Sequence, residues 1–548
     1  MKTRTQVGLA VLIAGLGLVL LLKGSSPLVT TATAQTRNKA QQQAKESTRS
    51  APPDLTPYWR PALPEDSAPR GIRAIPLLPG IFAIFVVDPV VNNTDPNLTN
   101  TDTFNDGETS IAVNPANPNE IVITAFSGSW GADAPLWQST DGGNIWTKQF
   151  TIPAPPGVAA AGCPCDQAVD YGRNNQMSGA FLICPVGCDV YSGTSTNPAS
   201  AAAWNWLVMG GVTQMTNHLV PSSFGNADQP WLLVNRDPTI AAQDNVYVAY
   251  DDFSGAPDMR VAVSFGVNPP DFTVDHLDGL STGFVNPGHR LAVDPSTGAV
   301  YSLFQRCVGA CGDPKNINYM LNRSTDGGAT WTLNGMAGGI IVANADSTQP
   351  QPKFGTVNAL LGGVDHAAVD PNTGDIYYVY GNRDSGTGNN RLAIRRIFDN
   401  GGGGVTVGPE NFVTGQVQAA IPSVAVTSNG TVGVFYYTFD GFSAGFPVFS
   451  AHLATSSDQG VTFSDQVLET FLSSAMDNGD PRQRVLGDYM QMKAVGTCFD
   501  GAFTGNGVPF GRPFSNHDPI FFRACPATTP PPRPAPTPRS RPTPPPRP

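Results

Sequence analysis

The chain has 548 residues, only 14% of them charged, with 58 glycines, 51 prolines and a formal net charge of −11. Average domains carry about 25% charged residues, and a chain so rich in turn formers and so poor in Glu and Lys is not built mainly of helices. The acidity argues against nucleic acid as a partner, because phosphate binding needs a basic footprint.

In chain order, Lys2 and Arg4 precede an apolar run from Val7 to Leu22, then Lys23 and the small residues Ala32-Thr33-Ala34. Residues 1–34 therefore read as a secretory signal peptide cut after Ala34 or, if uncut, as an N-terminal anchor. A spanning helix needs about 20 residues, and this run is short for one. Either reading places the body outside the cytoplasm. Residues 35–78, rich in Gln, Ser, Thr and Pro without apolar periodicity, read as a flexible linker. At the far end, residues 526–548 alternate Pro with Thr, Ala and four arginines. That composition predicts an extended polyproline II tail, suited to touching anionic envelope polymers.

Between these ends one pattern recurs: a polar residue, a short apolar strand, a turn of Asn, Pro, Gly or Thr, and a second aromatic-rich strand. Copies begin at Glu108, Asp166, Asp228, His289, Asp365, Ile421 and Asp488. Seven copies at roughly sixty-residue spacing predict an array of four-stranded units, which closes most simply as an all-β propeller over residues 79–525. The last repeat offers only three strands, the third around Ile520–Arg523. The segment Ile81 to Val87 is the expected outer strand that closes the ring.

A second signal appears three times, as STDGGNIW from Ser139, STDGGATW from Ser324 and SSDQGVTF from Ser456. An Asp followed by Gly two residues later suits a tight turn, since the carboxylate accepts backbone N–H groups and Gly supplies positive φ. The residues that follow start a strand and pack against the next sheet. The pattern SxDxGxTW resembles the Asp-box, or BNR repeat, of sialidase-like β-propellers. Ile145 stands where Thr is usual and Phe463 where Trp is usual. The resemblance implies a propeller, six-bladed in sialidases against the seven counted here, with the octapeptides as structural turns. The phrases around Trp231, Arg290 and Tyr489 (DQPWLLVN, HRLAVDP, GDYMQM) are similar to those of exported bacterial BNR-repeat proteins.

In a four-stranded meander, loops between blades share one face with second-to-third-strand loops, and first-to-second-strand turns share the other with the octapeptides. The first face collects Glu108, Asp166, Asp228, His289, Arg290, Asp365, His366, Asp488 and Tyr489. It also collects Asp251, Asp252, Arg306, Arg383, Asp384, Asp440 and Asp500. The sialidase resemblance implies an arginine clamp from Arg290, Arg306 and Arg383, a Tyr489–Glu108 nucleophile pair, and Asp166 or Asp228 as acid/base. Asp365, His366 and Asp488 would line the substrate site. The N-terminal arginine motif of the FRIP type is absent. The leading expectation is accordingly a module binding a surface glycan or an extracellular protein, with glycoside hydrolysis, including exo-α-sialidase action, as the alternative. No loop carries a full calcium signature, but a structural Ca²⁺ held by acidic loops is an open expectation and would take Asp251 and Asp252 first.

Eight cysteines fit export. Cys307 and Cys311 are spaced for a local bridge, and Cys498 and Cys525 fall on neighbouring strands of the last repeat. Cys163, Cys165, Cys184 and Cys188 would form two bridges in the second repeat or, at that spacing, hold zinc. Gly441 to Gly445 spells GxSxG, but the hydrolase elbow needs a strand, a sharp turn and a helix, and here the motif lies between two strands.

Overall fold

The computed structural model describes residues 72–75, 82–87, 106–126, 133–158, 165–184, 187–209, 212–213, 225–254, 258–278, 285–309, 315–347, 365–400, 404–413, 416–473, 486–510 and 517–526. The expected signal or anchor and nearly all of the proline tail lie outside them.

Each repeat becomes one antiparallel four-stranded blade with its strands in chain order, so the described residues form seven. Blade 1 runs through Gly107–Val113, Ile121–Phe126, Asp133–Ser139 and Thr147–Pro153. Blade 2 runs through Gln167–Tyr171, Met177–Ile183, Asp189–Ser195 and the short Trp204–Trp206. Blades 3 to 6 open with inner strands Ala227–Arg236, Val285–Val293, His366–Val369 and Ala419–Val426. Blade 7 has Gln491–Val495, Cys498–Gly505 and Asp518–Pro526, and Phe82–Val87 pairs antiparallel with the last of these. The N-terminal strand thus closes the ring as expected. A further strand, Ile72–Ile75, pairs outside it and falls within the stretch read as linker.

Second strands are buried almost throughout, as Ile121–Phe126 and Met177–Ile183 show, because both faces of each sheet pack on neighbouring blades. Inner strands present a different problem: their free edge faces the axis with unpaired backbone N–H groups. Side chains from the preceding blade answer it. The N–H of Ile111 donates to Gln491 Oε1 (2.9 Å), that of Val169 to Ser110 Oγ (3.0 Å) and that of Val234 to Asp170 Oδ2 (3.0 Å). Val424 N–H donates to His366 Nδ1 (3.2 Å) and Met492 N–H to Ser423 Oγ (3.0 Å). Five of the seven blade junctions are sealed by this one device.

The octapeptides all form the same turn. Ser324 Oγ donates to Asp326 Oδ1 and accepts the Gly328 N–H; Thr330 N–H and Oγ1 both donate to the Asp326 carboxylate. Asp458 repeats these contacts, whereas Ile145 gives Asp141 only its N–H. The aromatic anchors pack on the preceding blade: Trp146 meets Phe521 at 5.1 Å, and Trp331 joins Tyr247, Val261 and Val263. Gly143 (φ 89°), Gly327 (φ 74°) and Gly328 (φ 95°) all adopt positive φ in this turn type, and a Cβ on Gly143 would lie 2.3 Å from the Phe521 ring.

Disulfides link Cys498 to Cys525 and Cys184 to Cys188. The first ties two strands of blade 7 over a separation of 27 residues, which loop-closure entropy values at about 3.5 kcal/mol. Cys165 and Cys307 are also disulfide-bonded, and Cys163 and Cys311 lie outside the described residues. The bridge at Cys184 removes two of the four ligands that a zinc site would need. The GxSxG stretch ends in the tight hairpin joining Val432–Ser443 to Phe446–Ser456, with no helix to make an elbow.

Candidate functional site

The starts of four inner strands are irregular in the same way. Register shifts occur between Gly107 and Ser110, Asp228 and Trp231, Asn286 and Arg290, and Ala420 and Ser423. Within them Glu108 (φ 54°), Gln229 (φ 48°) and Ile421 (φ 58°) adopt the left-handed region, which costs a non-glycine residue roughly 1–3 kcal/mol. Each bulge turns an additional side chain toward the axis. Blade 7 solves the same corner with Gly487 (φ 94°), where a Cβ would lie 2.1 Å from Glu108 Cγ.

These bulges deliver a buried polar cluster. Arg290, 1% exposed, lies with its guanidinium 4.7 Å from the Trp231 ring centroid and 4.8 Å from that of Tyr489. It donates to the His289 carbonyl (2.7 Å) and to Gln229 Oε1 (3.2 Å). Gln229 passes the contact on, its amide donating to Asp488 Oδ2 at 3.1 Å. Tyr489 reaches across to blade 2, where its hydroxyl accepts the Gln167 N–H (3.0 Å) and meets the Gln167 carbonyl (3.2 Å). Glu108 Oε1 accepts the Asp488 N–H (3.1 Å). Trp231 stands edge-on to both Tyr489 and His366, each at 5.5 Å. Side chains from five blades therefore plug the axis.

Burial governs the ionisation here. It pulls the Arg290 guanidinium below its ordinary range, while Asp251, Asp166 and Asp488 push back. It raises Asp251 to about 6 against the pull of His289, Arg290 and the Gly288 N–H. Burial also raises Asp365, which accepts from Tyr378 and from Gln305 Nε2 (2.8 Å). His366 is lowered to about 3 by burial and by Arg290 and Lys493, and stays neutral.

Of the expected site residues, Glu108, Asp166, Arg290, Asp488 and Tyr489 come together, with Asp251 beside Arg290 and His366 beyond Trp231. Asp228 caps its own bulge, accepting the Gln229 N–H at 3.0 Å. Arg383 is held away by the Gly388 carbonyl of its own hairpin (3.1 Å). Arg306 sits on the second strand of blade 4, on the side shared with Phe304, which packs toward Met259 of blade 3. Asp251 and Asp252, expected first for a calcium ion, are directed apart. Adjacent strand residues point to opposite sides, so Asp251 faces Arg290 while Asp252 pairs with Arg260 at 2.7 Å. Among the described residues no three His, Cys, Asp or Glu side chains converge to hold a metal. The residues that sequence reasoning passed over are Gln229 and Trp231, although both lie in the DQPW phrase.

Below the plug the axis is open. The inner strands of blades 3 to 7 enclose a cavity of about 320 Å³ floored by Trp231, His366 and Gln491. Its mouth lies among Pro295, Pro371 and Ser428, in first-to-second-strand turns, and so on the octapeptide face.

Fold and site together define a seven-bladed propeller with a charged, plugged axis. No family model and no curated protein matches the chain. Among solved structures it is similar to the polysaccharide lyase Uly1, at 10% identity over 77% of this chain and 90% of the other, with a TM-score of 0.44. It is similar also to an α-L-arabinanase of Penicillium chrysogenum complexed with arabinobiose, at 11% identity over 76% and 93% of the two chains, TM-score 0.37. A third is the phage phi92 endosialidase, at 8% identity over 80% and 70%, TM-score 0.38. The propeller assignment rests on the strand pairing and not on these likenesses.

Proposed function

We propose that the chain is an exported propeller of the Asp-box kind that binds a surface glycan or an extracellular protein at the end where the inner strands begin, without chemistry of its own. One observation carries this reading: the groups that a related hydrolase would deploy are committed to the ring itself. Tyr489, the candidate nucleophile, has its hydroxyl engaged by both backbone groups of Gln167. Burial, together with Asp166 and Glu108, pushes its pKa well above the ordinary tyrosine value, the reverse of what activation requires. Arg290 is sandwiched between rings, and Arg383 is engaged elsewhere. The disulfides, Cys184–Cys188 and Cys498–Cys525 among them, support an oxidising compartment.

The full chain, assayed on a fluorogenic sialoside and a panel of aryl glycosides, should show no turnover while giving hits on a glycan array or in pull-downs of surface proteins. Tyr489→Phe should leave that binding intact and cost about 1–3 kcal/mol of stability, because the buried Gln167 N–H loses its acceptor. Turnover abolished by Tyr489→Phe or Glu108→Gln would overturn the reading. Glycoside hydrolysis keeps one observation in its favour: Asp251, raised to about 6, lies in the range of a general acid beside Arg290. On that reading Asp251→Asn abolishes turnover.

A further inference from the structure

The axial cavity opens on the octapeptide face, at the opposite end from the proposed binding face, and its walls are aliphatic. Leu233, Leu291, Val369 and Val424, from four blades, line it, and Pro295 and Pro371 stand at its mouth. Ser428 and Gly496 belong to the same rim, and the ammonium of Lys493 in the lining pairs with Asp170 at 3.1 Å. An apolar pocket of about 320 Å³ fits an apolar occupant, and the chain carries one within reach. Gly496 lies in the turn between Gln491–Val495 and Cys498–Gly505, the first two strands of blade 7. The third strand, Asp518–Pro526, runs back toward that turn, with Ala524 opposite Phe499, and the Cys498–Cys525 disulfide pins its last residues there. Pro526 therefore leaves the propeller on the octapeptide face, two strand spacings, about 10 Å, out from the inner strand whose turn rims the cavity.

Beyond Pro526, residues 527–548 hold eleven prolines, four arginines and no acid. In the polyproline II conformation, Pro530, Pro531 and Pro532 lie about 12–19 Å along the chain from Pro526, at ~3.1 Å per residue, which spans the gap to the mouth. The chemistry fits as well as the reach. A run of three prolines has no N–H, so it enters an apolar cavity without leaving a buried donor unpaired. The volume equals about ten waters at ~30 Å³ each, the bulk of roughly two or three prolyl residues. The arginines that follow meet a complementary surface. Asp141 of blade 1 and Asp458 of blade 6, in the octapeptides flanking blade 7, are exposed and, among the described residues, hydrogen-bonded only within their own turns. The tail is also the positive segment of a chain whose net charge is −11. We infer that residues 527–548 dock back on the octapeptide face, with Pro530, Pro531 and Pro532 in the axial cavity and the arginines along the acidic turns of the neighbouring blades. The docked tail closes the axis from behind and leaves the strand-start face open to a ligand.

Hydrogen exchange read by mass spectrometry, on the full chain and on its Pro530→Ser, Pro531→Ser, Pro532→Ser variant, tests the contact in place. The rim turns around Pro295, Pro371 and Ser428 should exchange at least fivefold faster in the variant, with no change at the distant octapeptide of blade 4. A synthetic peptide of residues 527–548, titrated calorimetrically into a chain stopped after Pro526, should bind at one site. It should bind the full chain at least tenfold more weakly, because the resident tail holds the site at high effective concentration. Ala368→Phe, placed on a partly exposed wall position, fills the cavity and should weaken the peptide at least tenfold. Replacing the four peptide arginines by Gln should weaken binding and remove its salt dependence. Equal exchange in parent and variant, equal affinity of the full and shortened chains, or binding untouched by Ala368→Phe would overturn the docking. So would a peptide that binds heparin but not the shortened chain, which would place the tail on anionic polymers, or a full chain that dimerises only when the tail is present. The exchange comparison leaves the propeller unaltered and decides the matter even where the shortened chain fails to fold.

Discussion

Asp326 and Asp458 occupy solvent-facing turns of the octapeptide face, whereas Asp251 and Asp365 sit at the plugged axis, and the two pairs are displaced in opposite directions. Partial burial alone would raise Asp326, but hydrogen bonds from Thr330 and Ser324 hold it below the usual carboxylate range. Asp458 is lowered to about 2 by the Thr462 hydroxyl and N–H. At the axis desolvation wins, and Asp251 rises to about 6 although a guanidinium stands beside it. The same residue type thus stabilises the fold at one end and burdens it at the other. What differs is whether donors arrive while water is still present.

Breaking the axial side should have the largest effect. Arg290→Met removes the cation shared by Asp166, Asp251 and Asp488, and the uncompensated buried charge should cost about 3–5 kcal/mol in chemical denaturation. The loss should be greater at pH 8 than at pH 5, where Asp251 takes up a proton. Next, Asp251→Asn sharpens the comparison. A raised folded pKa means that stability is fully present below the unfolded value of 3.8 and is lost as pH rises through about 6. The substitution should therefore flatten the stability profile over that interval and add about 2 kcal/mol at pH 7.

The turns should respond more weakly and with the opposite sign. Asp326→Ala should cost about 1 kcal/mol, by loss of the acceptor for Thr330 and Ser324. Because Asp458 is depressed, its contribution is present above 3.8 and fades as pH falls through about 2. Melting curves of Asp458→Asn and the parent should therefore converge in strong acid. The smallest change is a gain: Ile145→Thr supplies the hydroxyl that the first octapeptide lacks and should raise stability by about 0.5 kcal/mol.

Much of the architecture was legible from local chemistry. Alternating apolar runs between turn residues marked seven blades, and the missing strand of the last repeat pointed to Phe82–Val87. The octapeptide turns were legible because Asp326 and its donors lie within a few residues of one another. Only their anchoring direction differed, Trp146 and Trp331 packing on the preceding blade. The site was half legible. The polar strand starts do converge, but as a closed plug, and Arg383 turns back onto its own hairpin.

The blade count, the closing strand and the structural role of the octapeptides follow from local patterning, since each depends on neighbours in the chain or on strand periodicity. Which polar side chains meet at the axis, and what they leave open beneath them, is set by the packing of the ring. The reason lies in the bulges at Glu108, Gln229 and Ile421. A strand's two faces follow parity, and one inserted residue reverses it. Whether Asp228 or Gln229, or Asp488 or Tyr489, reaches the centre cannot be read from spacing. It depends on a backbone turn that only the packed ring holds in place.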